Sequence, residues 1–268
     1  MRGPVLAVLV LGVCGVCPAQ KFRFTPADKT VVLQRMADAP ASNKAREIRI
    51  KELFQQAGCS GAAVTEQPVA GSDAPNLVCR LPGSSNETII VGAHYEVDPT
   101  SADRDNWNAA CLLPSIYQSV AGQKRHHTLL FVAFADTGNG QSGESFYAAH
   151  MTTNEAAQTE ALLNLDVLGL SPTKVWTHNS DKDLVHDLIV VTYLLKLPVS
   201  QVDIAESNTA GPFDAKQIPQ ITIHSLTKAN LAGETVAFRP HNYMDSYRLV
   251  SGYVAYLDVK LKSRASAQ

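Results

Sequence analysis

Thr88-Ile89-Ile90-Val91-Gly92-Ala93-His94-Tyr95-Glu96, followed across a polar loop by Asp105-Asn106-Trp107-Asn108-Ala109-Ala110-Cys111-Leu112, is the stretch on which the fold turns. An apolar run rich in β-branched residues ends on a histidine, and the loop delivers an aspartate to the mouth of a helix. In an open α/β sheet both lie at the carboxyl edge of the strands, where such sheets keep their sites. Taken alone, the pair has two readings. They are metal-type ligands, or His94 ends a strand and Asp105 caps a helix.

Working outward, Asp28 and Ser42 precede two amphipathic stretches that predict helices, the second closing at Gly58. Residues 20–27 read as an exposed arm. Asn76–Leu81 and Thr88–Ala93 predict two short strands joined by a turn-rich Pro82–Asn86, a hairpin leading into the site. After a helix from Asn106 to about Ala121, Thr128–Ala135 is an unbroken apolar run of the kind buried on both faces. A glycine-rich corner, Asp136–Gly143, leads to a helix near Glu144. Leu162–Leu165 then runs into Asp166, a helix spans Asp181 to Leu195, Ile218–His224 makes another strand, and Asp245–Leu261 makes a closing helix. Strands alternating with helices predict an α/β fold, a three-layer αβα sandwich around a mixed, mostly parallel sheet.

The composition fits one such domain: 268 residues, 45% hydrophobic and 18% charged, with a formal charge of −2. No basic excess exists to recruit nucleic acid or an acidic membrane surface. Residues 1–19 read as an export signal: Arg2, a short apolar core from Val5 to Val13, and a small-residue cut site at Cys17-Pro18-Ala19. The apolar run is too short for a membrane span. Residues 20–268 are then a secreted or periplasmic domain. Its three cysteines leave two options for Cys59 and Cys79, a disulfide or two small buried groups, with Cys111 in the core.

Three strand exits carry His94, Asp166 and His224, with Asp105 beside the first. Imidazole nitrogen with carboxylate oxygen is a zinc-type donor set. Val91-Gly-Ala-His94-Tyr, Asp105-Asn-Trp, Phe131-Val-Ala-Phe, Asn164-Leu-Asp166-Val-Leu-Gly and Ile218-Pro-Gln-Ile-Thr-Ile-His-Ser together resemble the secreted co-catalytic zinc aminopeptidases of metallopeptidase family twenty-eight, which are related to glutaminyl cyclases. The resemblance runs from about Leu77 to Asp258. It implies the zinc-aminopeptidase fold, related to the phosphorylase/hydrolase-like folds, with His94 as the first histidine ligand, Asp105 as the bridging aspartate and Asp166 as the next aspartate. Glu96 stands where the family carries the aspartate that orients the histidine.

The other half of the implied site departs from the family. The family's Glu-Glu pair, general base and ligand, falls on Thr137 and Gly138. Glycine has no side chain to ligate with, and a threonine hydroxyl does not titrate near neutrality, so neither replaces a glutamate. Asp136 and Glu144 are the nearby carboxylates that would have to substitute. His224 lacks the His-Ser/Thr-x-x-Asp pattern of the family's last ligand, Lys228 standing at the aspartate, and reads as a structural histidine. The family's aspartate at the position of Thr209 is missing too. His241 matches no ligand position in this reading, and His126, His127, His150, His178 and His186 read as surface or helix-end residues. Ser142 lies between a strand and a helix, but Glu144 stands where a nucleophile elbow needs glycine.

These readings lead to an exported zinc-aminopeptidase-like protein holding at most one zinc ion, or none, at His94, Asp105 and Asp166. Hydrolysis of N-terminal peptide bonds is weak or lost, and the cleft binds a peptide or protein N-terminus. The alternative is an active aminopeptidase with Asp136 or Glu144 as displaced base.

Overall fold

The computed structural model describes residues 22–37, 39–97, 106–135, 142–203 and 211–265. Asp105, Asp136, Thr137, Gly138 and Thr209 lie outside them.

Two helices open the chain, α1 (Lys29–Met36) and α2 (Asn43–Gln56). Each begins where a side chain caps the first turn. Asp28 accepts from the Thr30 N–H, and Ser42 accepts from that of Ala45. Strands β1 (Val64–Gln67), β2 (Asn76–Leu81) and β3 (Thr88–His94) follow. Next come α3 (Trp107–Ala110) and α4 (Leu112–Ala121). Pro114 has no N–H for the Ala110 carbonyl, which accounts for the break between these two helices. The remainder is β4 (Thr128–Phe134), α5 (Gly143–His150), α6 (Thr153–Gln158), β5 (Thr159–Leu165), β6 (Lys174–Trp176), α7 (Lys182–Leu195), β7 (Ser200–Val202), β8 (Gln220–His224), α8 (Lys228–Leu231) and α9 (Pro240–Ala265).

The strands form one eight-stranded sheet in the order β1-β2-β4-β3-β5-β8-β6-β7. Its centre, β4-β3-β5-β8, is parallel, while β1, β2 and the β6–β8 pairing bring antiparallel edges. The fold is therefore the expected mixed α/β sheet with helices on both faces. Alternation along the strands sorts the core. Ile89, Val91 and Ala93 join a large cluster with Leu53 of α2, Ile116 of α4, Leu188 of α7 and Tyr247 of α9. Ile90, Val132, Phe134 and Leu162 face the other way, onto Ala148 and Met151 at α5. Each such aliphatic side chain contributes about 1.5–3 kcal/mol when fully buried.

The expected hairpin between β2 and β3 does not form. β4 lies between them, antiparallel to β2 and parallel to β3. Both faces of β3 are apolar and covered, which suits a central strand with β4 and β5 on its two edges, and β2 instead pairs between β4 and β1. The arm before α1 is exposed on one side only, with Arg23, Thr25 and Pro26 exposed and Phe22, Phe24 and Ala27 half-buried. Phe22 and Phe24 pack on the large cluster, Thr25 donates its N–H to the Ser119 carbonyl (2.8 Å), and Ala27 donates to the Tyr247 hydroxyl (2.6 Å). The closing helix starts at Pro240, five residues earlier than the apolar pattern indicates, because proline suits a first helical position. Cys59 and Cys79 are joined by a disulfide, and Cys111 lies outside it, buried, as its Ala-Ala and Leu-Leu neighbours indicate. Among the described residues, no helix is long and apolar enough to cross a membrane.

Candidate functional site

The site edge is set by strand register. Gly92 pairs with Asn164 and Ala93 with Leu165, which carries His94 level with Asp166 one strand away, about 4.8 Å across. Both continue the face of Ile90 and Leu162, the one that α5 covers. On the other side of β5, Leu165 pairs with Ile223, so His224 lies level with Asp166 in turn.

His94 is gripped from both sides. Its Nδ1 lies 3.3 Å from Glu96 Oε2, and its Nε2 lies 3.2 Å from Glu144 Oε2. The ring also packs at 5.6 Å from Phe134, whose side chain fills the space that a Cβ on Gly92 would take. Burial works against charge on the imidazole, but Glu144 and Glu96 together hold its pKa well above the ordinary histidine value. Burial also disfavours the Glu96 carboxylate, yet His94 and the Asn106 amide, which donates to Oε1 over 2.6 Å, hold its pKa below the usual range. Behind Glu96, the Arg46 guanidinium donates to the carbonyls of Tyr95 and Glu96 and lies over the Trp107 ring at 5.6 Å.

Glu144 reaches His94 because of how α5 begins. Ser142 caps the helix by accepting from the Ser145 N–H, which puts Glu144 in the first turn, the favoured place for an acidic side chain. A buried amide on β2 fixes that start. Asn76 accepts from the Ala135 N–H (2.9 Å) and donates to the Gly143 carbonyl (2.8 Å), tying together the two ends of the corner that carries Thr137 and Gly138. Gly143 itself donates to the Ala135 carbonyl over 2.6 Å. Such a close approach requires glycine, since a Cβ there would sit 2.1 Å from Asn76 Oδ1.

Of the other candidate residues, Asp166 accepts from the Val167 N–H through Oδ1 (2.8 Å). His224 is buried and stacked on Trp176 at 4.4 Å, and its Nδ1 accepts from the Leu226 N–H. Burial, reinforced by the Lys174 charge, lowers its pKa to about 3, so it is neutral with the proton on Nε2. His127 is not a surface residue: its side chain is 0% exposed. Asp258 of α9 accepts from both its backbone N–H and its ring Nδ1, an arrangement local sequence does not reveal.

Sequence reasoning passed over His241. It lies in the first turn of α9, 85% exposed, with Nε2 3.2 Å from Asp245 Oδ2. That helix start belongs to the same sheet edge, because Arg239 donates its N–H to the Gly169 carbonyl and Tyr243 donates its hydroxyl to the Asn108 carbonyl. The available signal was spacing. His241-Asn-Tyr-Met-Asp245 sets an aspartate four residues after a histidine, as in the closing pattern sought at His224, with asparagine in place of the hydroxyl residue.

Peptidase family M28 matches residues 76–241, more than half of the chain, and the match ends on His241. No curated protein matches the chain in sequence. Among solved structures, the LapA aminopeptidase of Legionella pneumophila is 15% identical, covers 85% of this chain and 70% of its own, and superposes with a TM-score of 0.69. A glutaminyl cyclase from an Acidobacteriales bacterium is 16% identical over 91% of this chain and 98% of its own, at 0.67. The zinc aminopeptidase BSAP from Bacillus subtilis is 16% identical over 68% of this chain but only 49% of its own, at 0.57. At such identities the superpositions speak for the fold alone, while the sequence match and the strand-end pattern speak for descent: the chain belongs to Peptidase family M28.

Proposed function

We propose that the chain is an exported zinc-aminopeptidase-like protein with a single metal position, formed by His94, Asp105 and Asp166. Its hydrolysis of N-terminal peptide bonds is weak or absent, and its cleft holds the amino end of a peptide or protein. The observation that carries this reading is the Glu144 carboxylate 3.2 Å from His94 Nε2, in a chain with threonine and glycine where the family has its glutamate pair.

The donor chemistry fits a zinc ion. Glu96 takes Nδ1, leaving Nε2 as the ligating nitrogen, and Asp166 is level with it on the next strand. A zinc ion held there would supply Lewis-acid polarisation of a substrate carbonyl. Glu144 adds a carboxylate on the Nε2 side. With His94, Asp105 and Asp166 it makes four protein donors, the closed set of structural sites, whereas hydrolytic sites keep one position open. His241 is the further residue this reading places at the edge, but with Gly138 for a glutamate the second position keeps only Asp105 and His241. The carboxylates of Glu96, Glu144 and Asp166 give the cleft a negative wall suited to a protonated amino terminus.

The same contact favours one second reading, in which Glu144 serves as the displaced general base of a working aminopeptidase. Zinc per chain and hydrolysis of aminoacyl substrates, measured on wild type and Glu144→Gln, separate the two. The proposal expects at most one zinc and no turnover in either protein. Turnover abolished by Glu144→Gln with zinc retained would establish the second reading. Two zinc ions per chain would sink the single-position reading.

A further inference from the structure

At the opposite end of the same strands lies a second group of metal-type side chains. Glu87 immediately precedes β3, His126 and His127 immediately precede β4, and Glu160 is the second residue of β5. One ligand atom each from Glu87, His126 and His127 lies within 4.8 Å of the others. Glu87 Oε2 is 2.7 Å from His126 Nε2, and Glu160 Oε2 is 3.1 Å from His127 Nε2. The backbone fixes the register of the group. Thr128 donates its N–H to the Glu87 carbonyl, and Ser85 donates its N–H to the His126 carbonyl.

A carboxylate already orients the buried histidine. Asp258 on α9 accepts the backbone N–H groups of His126 and His127 and faces His127 Nδ1 at 2.9 Å. This carboxylate, anchored by two amides, fixes the ring from the Nδ1 side and turns Nε2 toward Glu160, with Glu87 and His126 beside it. Metal-binding histidines are commonly oriented by a carboxylate in this way. His127 is fully buried and fixed, while Glu87, His126 and Glu160 keep some exposure. A surface cleft of about 630 Å³, lined in part by Pro82, Ser84, His126 and Asp258, gives an entry path.

We infer that Glu87, His126 and His127 form a binding site for a divalent transition metal of the zinc class, with Asp258 orienting His127 and with Glu160 or water as fourth donor. Zinc takes nitrogen and carboxylate oxygen at about 2.0–2.2 Å, which sets tetrahedral donors about 3.4 Å apart. The present arrangement reaches that with side-chain movements of about an ångström. The site is independent of the cleft and does not rest on its reading.

The test uses the full chain carrying His94→Ala and Asp166→Ala, which removes the cleft position. Zinc stoichiometry by elemental analysis and titration with cobalt, followed by its visible absorption, are read before and after adding His126→Ala or Glu87→Gln. Both of these side chains are partly exposed, and circular dichroism checks that each variant folds. The cleft variant should retain one zinc per chain, each added substitution should weaken binding by about tenfold or more, and Asp258→Asn should weaken it by about 10- to 100-fold. A cleft variant that binds no zinc would overturn the inference, as would zinc binding unchanged by both His126→Ala and Glu87→Gln.

Discussion

The side-chain amide of Asn76 donates to the Gly143 carbonyl over 2.8 Å, joining strand β2 to the first residue of α5. Its oxygen accepts from Ala135, so one buried side chain closes the corner from which Glu144 approaches His94. Replacing Asn76 by alanine takes the acceptor from the buried Ala135 N–H, at about 1–3 kcal/mol, and removes the tie to the Gly143 carbonyl. Asn76→Asp keeps the acceptor but sets a buried carboxylate against the Gly143 carbonyl and the Gln67 side-chain oxygen, and should cost at least as much. Urea unfolding of the two variants measures the difference, and equal stability of Asn76→Ala and wild type would refute the role.

Gly143→Ala should destabilise the fold by about 1–3 kcal/mol, the usual range for forcing extra volume into a packed region. The added Cβ would lie 2.1 Å from Asn76 Oδ1 and 2.4 Å from the Ala135 carbonyl oxygen. With Asn76→Ala in the same chain the first clash disappears, so the double variant should cost less than the sum of the two single changes. Additive losses in the same unfolding experiment would count against this account of the corner.

His224 should impose an acid limb on stability. Burial and Lys174 hold its folded pKa at about 3, below the ordinary histidine value of 6.5. Between those values the unfolded chain takes up a proton that the folded one refuses. Stability therefore falls as pH drops through that window, by at most about 1.4 kcal/mol per pH unit from this group. His224→Gln should flatten the limb in denaturation curves taken from pH 7 to pH 4. An unchanged slope would show that other groups govern it.

The disulfide joins the segment that follows α2 to strand β2, next to the sheet edge, across a sequence separation of 20 residues. By loop-closure entropy a link of that span is worth about 3 kcal/mol. Reductant should lower the urea midpoint by the corresponding amount, and Cys59→Ala/Cys79→Ala should reproduce the loss and abolish the response to reductant. Cys111, buried in the core, should resist thiol reagents until the chain unfolds. A midpoint indifferent to reductant would argue that the link adds no stability.

Much of the parallel centre is legible in the sequence. β3, β4, β5 and β8 are apolar runs that end on polar residues, so both their existence and the residues at their exits can be read directly. β6 and β7, at three residues each, and β1, with two exposed positions in four, are too short or too polar to announce themselves. The position of β4 between β2 and β3 depends on partners far apart in sequence. Glu144 is legible as a nearby carboxylate, but its contact with His94 depends on Asn76 and Ser142 fixing the start of α5. The burial of His127 depends on Asp258, 131 residues away, and no local pattern encodes it. His241 was within reach of pattern alone, through the aspartate four residues on.

The segment before α1 also limits how the chain can be trimmed. Phe24 fits beside Gly252 and Leu195, Phe22 meets Tyr256 edge-on, and Ala27 holds the Tyr247 hydroxyl. A processing enzyme that cut at the start of the first helix would strip the cover from the joint between α4 and α9 and expose aromatic surface to solvent. The joint stays covered only in a chain that is intact from Phe22 onward.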